Sequence, residues 1–465
     1  MKAKINSLEE LIAALDQDTP LNLEIQTSIL CPYGIVLPVG FSLSGLDRER
    51  SILSFSNSDG IALTANNEIS NLNIQTKPGN RAIYLLSNQA DLGTFSLSNL
   101  SITGQVQILT RSGTLQTKLI AENIDIVGCD ARCYSEQPQK YGVNVYQGAF
   151  TVYNYNSQPD SVIQATLTNI SIGRKGAPVI GSGLFIGGFG DNGGWVLAEQ
   201  VSTADIYSNG MIPYGQPNLI TAAVFIGNGA KIKKLHNKGV ATTYGVNDMV
   251  LDTWGQVDRW LAEKPITSYG PSGIGFVNFG IVDSFEAKDK IETFGLGARG
   301  FNQYDGTINQ AVFHSIETHG NGSIGIQVSK PIGSISIKND LITHGAVGQS
   351  LVKGVLLSLP ADGLSVKPNG EIKQLNIAGS IITYGSGVHS LNIEGGKVNE
   401  LAIKGEVIAE GKNAVAVSVT QQGKTSLNQV RAISRQGIAV LIEKGVVTDR
   451  TDLQARGDKG DIVEE

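Results

Sequence analysis

Two histidines, two glutamates and a run of aromatic residues recur at fixed positions of a repeat, and acid–base or ring-stacking chemistry is sought there. The segments ATTYG (241–245), ITSYG (266–270), IETFG (291–295), IETHG (316–320), LITHG (341–345) and IITYG (381–385) each end in glycine. The residue before the glycine gives a column: Tyr244, Tyr269, Phe294, His319, His344 and Tyr384. Imidazoles move protons near neutral pH, and ring faces stack on sugar C–H faces. Glu292 and Glu317 stand two residues before Phe294 and His319, hence on the same face of an extended strand. A second strand then shows Phe279, Tyr304 and Ser329 outward, with Arg299 in the turn between the strands. The candidate catalytic residues are therefore His319, His344, Glu317, Arg299 and Tyr304. The candidate ligand contacts are Tyr244, Tyr269, Phe294, Tyr384, Glu292 and Trp254, the last placed in a turn. His319, His344 and Glu317 also form a two-histidine, one-carboxylate donor set. No HxH or HExxH spacing accompanies it, so no metal or other cofactor is assigned.

The element that must carry such a column is set by the period. Gly245, Gly270, Gly295, Gly320 and Gly345 are each 25 residues after the last. A repeat of this length denotes stacked supersecondary units, and the alternating β-branched runs between glycines denote strands and turns. The fold expected is all-β: a single right-handed parallel β-helix, or β-solenoid, with coils of ~25 residues. The inward face carries Ile266, Ile291, Ile316, Leu341 and Ile381. Thr243, Ser268, Thr293, Thr318, Thr343 and Thr383 form a hydroxyl column on that face, expected to hydrogen-bond to one another. Trp260 falls one period before Phe285 and reads as core. Asp248 and Asp252 read as solvated turn acids, and His314 and His389 as bystanders in turns.

Ser7, Glu10 and the apolar positions Leu8, Leu11, Ile12 and Leu15 describe a capped amphipathic helix, so residues 1–22 form an N-terminal cap. The solenoid is expected over 23–445. Matching glycines at Gly128, Gly173, Gly210 and Gly245 are 45, 37 and 35 residues apart, and Gly345 is 40 from Gly385. The excess over one coil places insertions at about 129–161, 182–195, 211–218 and 350–368. Neighbouring insertions can build a lid over a site, and the expected pocket lies between 134–155, 182–195 and the column. The charged stretch 446–465 is aperiodic and is expected to be frayed; its Arg456-Gly457-Asp458 tripeptide is of a kind common by chance.

Composition narrows the partners. The 465 residues carry a net charge of −6 and no basic stripe, which argues against nucleic acid. No apolar run is long enough for a membrane span. The start lacks the apolar core of a signal peptide, so a cytoplasmic location is expected if Met1 is native, and a secreted one if a leader was removed. Cys31, Cys129 and Cys133 cannot make a disulfide framework.

The opening run SLEELIAAL, PLNLEIQTSI, VLPVGFSLSGL and SILSF resembles that of right-handed parallel β-helix proteins of the pectin-lyase-like superfamily, and the 25-residue coils fit the same superfamily over most of the chain. That resemblance implies the fold. Its members include polysaccharide lyases, glycoside hydrolases, uronan epimerases, pectin esterases and non-catalytic adhesins and tailspikes. The NTD…DD, GHG, YGFDPH and RxPxxR signatures of individual families are absent, so no catalytic residue carries over. Two functions stand open. One is a carbohydrate-active or related lyase- or isomerase-type enzyme acting on a polyhydroxylated ligand in a groove with Tyr/His acid–base chemistry. The other is a non-catalytic β-solenoid for carbohydrate binding, adhesion or self-assembly. A deep pocket beside the column favours the first, an open column the second. The oligomeric state is left open.

Overall fold

The computed structural model describes residues 2–86, 89–352 and 355–465. The chain is an all-β parallel β-helix, and its ladders pair one coil with the next. It divides into two compact units. One comprises residues up to Lys140, Asn144–Met211 and Thr221–Gly239; the other comprises Tyr141–Val143, Ile212–Ile220 and Val240–Glu465. Among the described residues no helix is long and apolar enough to cross a membrane.

In the first unit the helix Leu8–Leu15 starts where Ser7 accepts from the Glu10 backbone N–H at 3.2 Å, and Glu10 turns back to the Asn6 N–H at 2.6 Å. Leu11 is buried, but Ile12, expected on the same apolar face, is exposed. A strand Lys2–Ile5 precedes the helix and pairs in parallel with Asn22–Ile25, so the cap also supplies a ladder strand. Further on, the sequences SNL, SNL, ENI and TNI bend at an asparagine in the left-handed region: Asn71, Asn99, Asn123 and Asn169, with φ between 53° and 56°. Asparagine tolerates that conformation, and its amide satisfies its neighbour. Asn99 donates to Asn71 at 2.6 Å, and Asn169 to Asn123 at 2.8 Å.

In the second unit the 25-residue coils have three strands, for example Ile291–Thr293, Arg299–Gln303 and Thr307–Phe313. Ile291, Glu292 and Thr293 pair with Ile316, Glu317 and Thr318 of the next coil. Phe301 pairs with Phe276 and Ile326, and Phe285 with Trp260 and Ala311. The interior holds Trp260, Phe276, Phe285, Phe301 and Phe313 in mutual ring contact. Between Gly345 and Gly385 the chain makes an antiparallel hairpin, Gly348–Val352 with Val355–Leu359, while Leu341–Thr343 still pairs directly with Ile381–Thr383. The charged C-terminal stretch is not frayed. Gln454–Gly457 and Gly460–Glu464 both pair with Arg431–Ile442, because each supplies backbone to an otherwise open strand edge, which needs no apolar period.

Candidate functional site

The alternation places the column as expected. Thr243, Ser268, Thr293, Thr318, Thr343 and Thr383 are wholly buried, whereas Tyr269, Phe294 and Tyr384 are 47%, 38% and 48% exposed. Two of the hydroxyls bond to backbone rather than to one another: Thr318 donates to the Ser323 carbonyl and Thr343 to the Ala361 carbonyl, both at 2.8 Å. Each therefore pins the turn of its own coil. Outside, the six rings form a continuous stack. Centroid separations run from 4.6 Å for Phe294–His319 to 5.4 Å for Tyr244–Tyr269, and no pair departs from parallel by more than 9°. Strand spacing of about 4.8 Å sets this distance, and each contact contributes roughly 0.5–1.5 kcal/mol beyond burial. The step from His344 to Tyr384 keeps the stack although a hairpin intervenes in sequence.

Beside the two imidazoles lies a charged network. His319 Nε2 is 3.0 Å from Glu292 Oε1, and His344 Nε2 is 2.8 Å from Glu317 Oε1. Lys290 Nζ bridges the two carboxylates, 2.9 Å from Glu292 Oε1 and 3.0 Å from Glu317 Oε2. Burial works against the Glu317 carboxylate, but hydrogen bonds from His344 and Lys290 and the Lys290 charge hold it below the usual range. A neutral imidazole that donates from Nε2 carries its lone pair on Nδ1, so each glutamate can orient a base. The ligand atoms of Glu317, His319 and His344 lie within 4.8 Å of one another. The Nε2 atom of each ring is bonded to a carboxylate. As it stands the cluster is a hydrogen-bonded network.

Other candidate residues are elsewhere. Arg299 is not in a turn: it pairs in register with Ile274, opens a strand, and is 1% exposed. Tyr304 stacks on Phe279 at 5.1 Å, and Trp254 is buried with its ring edge-on to Tyr141 at 5.3 Å, which leaves it no open face like those of the column. Asp248 and Asp252 are not solvated turn acids. Both are fully buried in the strand Asp248–Thr253. Asp248 accepts from the Gly245 N–H at 2.7 Å. Asp252 has its carboxyl pushed well above the usual range by burial, against a smaller opposing effect from the Trp254 indole.

The stretches read as lid insertions behave differently from one another. Gly148–Asn154 and Ser182–Gly187 are buried strands that pair in the ladder of the first unit, since their alternation is masked by apolar residues on both faces. In the second unit, residues 214–217 and the hairpin residues Gln349 and Leu356 line a cavity of about 150 Å³, together with Val246, Pro271 and Leu296.

His389 is no bystander. Its Nδ1 is 3.0 Å from Oδ1 of Asp362, which is fully buried and also accepts from the His389 backbone N–H at 2.8 Å and from Asn392 at 3.0 Å. Burial disfavours the imidazolium, but the Asp362 hydrogen bond and charge outweigh it and raise the pKa. A raised folded value stabilises the protein fully below the unfolded pKa of about 6.5, and the gain is lost as pH rises through the folded value. His389→Gln should therefore cost about 2 kcal/mol at roughly pH 5.5 and progressively less towards pH 9. Urea unfolding of both proteins across that range checks this; a cost independent of pH would refute the pairing.

No protein-family model, curated protein or solved structure matches this chain.

Proposed function

We propose that the chain is a right-handed β-helix of the pectin-lyase-like kind that binds a polyhydroxylated ligand along its ring column and acts on it by lyase- or isomerase-type acid–base chemistry. The observation that carries this reading is the exposed six-ring stack with His319 and His344 at its centre, each bonded to a carboxylate. Ring faces offer a platform for sugar C–H faces. One imidazole takes a proton from carbon beside a carbonyl or carboxylate, and its neighbour one coil on returns a proton to the ligand or to a departing oxygen. Glu292 and Glu317 hold the rings, and Lys290 offsets their charge.

The test is a panel of neutral and uronic polysaccharides, read by ultraviolet absorbance of new C=C bonds and by product analysis. On whichever substrate is turned over, His319→Ala should lower the rate by about two to four orders of magnitude while the fold survives. Tyr269→Ala should weaken binding by about 1 kcal/mol. An unchanged rate in folded His319→Ala removes that residue from the mechanism. The unbroken openness of the column favours a second reading, a non-catalytic binding surface. Ligand capture that depends on Tyr269, with no turnover of any panel member, would select it.

A further inference from the structure

Among the described residues, Glu317, His319 and His344 are the only group of three histidine, cysteine, aspartate or glutamate side chains whose ligand atoms converge. The repeat brings them together. Thr318 pairs with Thr343, so the residues that follow, His319 and His344, stand on adjacent coils 25 positions apart. Glu317 lies two residues before His319 on the same outward face. Its Oε1 serves both rings, 2.8 Å from His344 Nε2 and 3.9 Å from His319 Nε2. The arrangement is confined to this step of the column. The ring before His319 is Phe294, the ring after His344 is Tyr384, and the residue paired with Glu317 on the next coil is Ile342.

Charge and access make this cluster suited to a cation. Lys290 Nζ stands 2.9 Å from Glu292 and 3.0 Å from Glu317, so two carboxylates face one ammonium. With both imidazoles neutral, one negative charge is left over. The lysine shows that a cation is held between the carboxylates, and its flexible stem lets it move aside. All five side chains are partly exposed, so an ion reaches the Nε2 atoms without opening the fold. Two imidazole nitrogens and one carboxylate suit a zinc-class ion, whereas magnesium and calcium take oxygen ligands. We propose that Glu317, His319 and His344 bind one zinc-class divalent ion through the carboxylate and the two Nε2 atoms, with the fourth position left to water.

Ligands of such an ion lie about 2.0–2.2 Å from it, hence about 3.4 Å from one another in a tetrahedron. The separations of 2.8 and 3.9 Å straddle that value. The two rings, 4.7 Å apart and 3° from parallel, must tilt their Nε2 edges together. His319 then gives up its bond to Glu292, which keeps Lys290 as its partner. A metal bond at Nε2 leaves the proton of a neutral ring on Nδ1, so a bound ion and an imidazole base exclude each other. The metal site thus goes beyond the acid–base reading and does not rest on it; zinc should inhibit any turnover by these histidines.

The experiment is calorimetric titration of the whole chain with zinc chloride and with magnesium chloride, at about pH 7.5 and without polysaccharide. Zinc should bind saturably at one equivalent with a Kd of about 10 μM or tighter, and magnesium at least about 100-fold more weakly. His319→Ala and His344→Ala should each lower zinc affinity at least about 10-fold, since loss of even an outer-shell partner costs that much. No saturable zinc binding up to about 1 mM, or magnesium bound as tightly as zinc, overturns the proposal. Undiminished zinc binding in either folded variant places the ion elsewhere and also overturns it. If a variant does not fold, the near-isosteric Glu317→Gln takes its place with the same expected loss. Because no carbohydrate enters the titration, its failure leaves the acid–base reading standing, and failure of that reading leaves zinc binding standing.

Discussion

Gly320→Ala is expected to destabilise the second unit by about 3 kcal/mol or more, while Gly128→Ala leaves its own surroundings almost unchanged. The reason is close approach and not conformational freedom. A Cβ on Gly320 would stand 2.0 Å from the carbonyl oxygen of Gly295, and the corresponding atoms on Gly270, Gly295, Gly345, Gly385 and Gly411 would each lie 1.7–1.9 Å from the carbonyl of the repeat glycine one coil before. None of these glycines has its backbone in the left-handed region. The obstructing atom is backbone and cannot swing aside. Moving the coils apart would lengthen the bonds that fix their spacing, such as His319 N–H to Thr293 at 2.9 Å and His344 N–H to Thr318 at 2.8 Å. Gly128 shares the repeat signature in sequence, but a Cβ there meets nothing within 4 Å. Urea unfolding of both variants separates the cases. A Gly320→Ala variant within about 1 kcal/mol of the unaltered protein would show that the coils yield, and the glycine column would need another cause.

That contrast indicates what could be read before the structure. In parallel coils in register, a residue type at one offset from the glycine recurs at one place in space. The inward threonines and the outward rings were therefore legible from five-residue segments. Lys290 was not, because it reaches Glu292 and Glu317 from the turn before the strand, where no alternation applies. Asp252 was misread for a different reason. Its coil position is an outward one, and it is buried because Tyr141, Val143, Pro217 and Ile220, more than thirty positions away in sequence, close over that face. Covering segments of this kind carry no period. Asp362 and His389 were hidden by the hairpin Gly348–Leu359, which shifts their numbering out of the 25-residue step although the ladder resumes with Leu364 on Ile326. Period reading thus recovers the walls of a solenoid and misses what is laid against them.

The inside and outside stacks should differ in what they contribute to stability, and that difference gives the second large effect. Phe276 is fully buried, 4.0 Å from Phe285, 5.4 Å from Phe301 and 5.5 Å from Trp260 by ring centroids. Removing its ring takes away apolar burial and leaves a void whose neighbours are held by ladder bonds on both sides, so they cannot collapse into it. Phe276→Ala should cost about 3–5 kcal/mol. Phe294 also has stacked neighbours on both sides, Tyr269 at 5.0 Å and His319 at 4.6 Å, but it is 38% exposed and its removal opens a gap that water fills. Phe294→Ala should cost about 1–3 kcal/mol, the loss of two ring contacts without a dry cavity. Equilibrium unfolding of the two variants under the same conditions measures the gap directly. If Phe276→Ala proved no more costly than Phe294→Ala, the interior rings would not be close-packed. The column would then be as much a structural spine as a surface, and the case for a ligand platform would lose its main support, because rings kept for stability need no ligand to explain them.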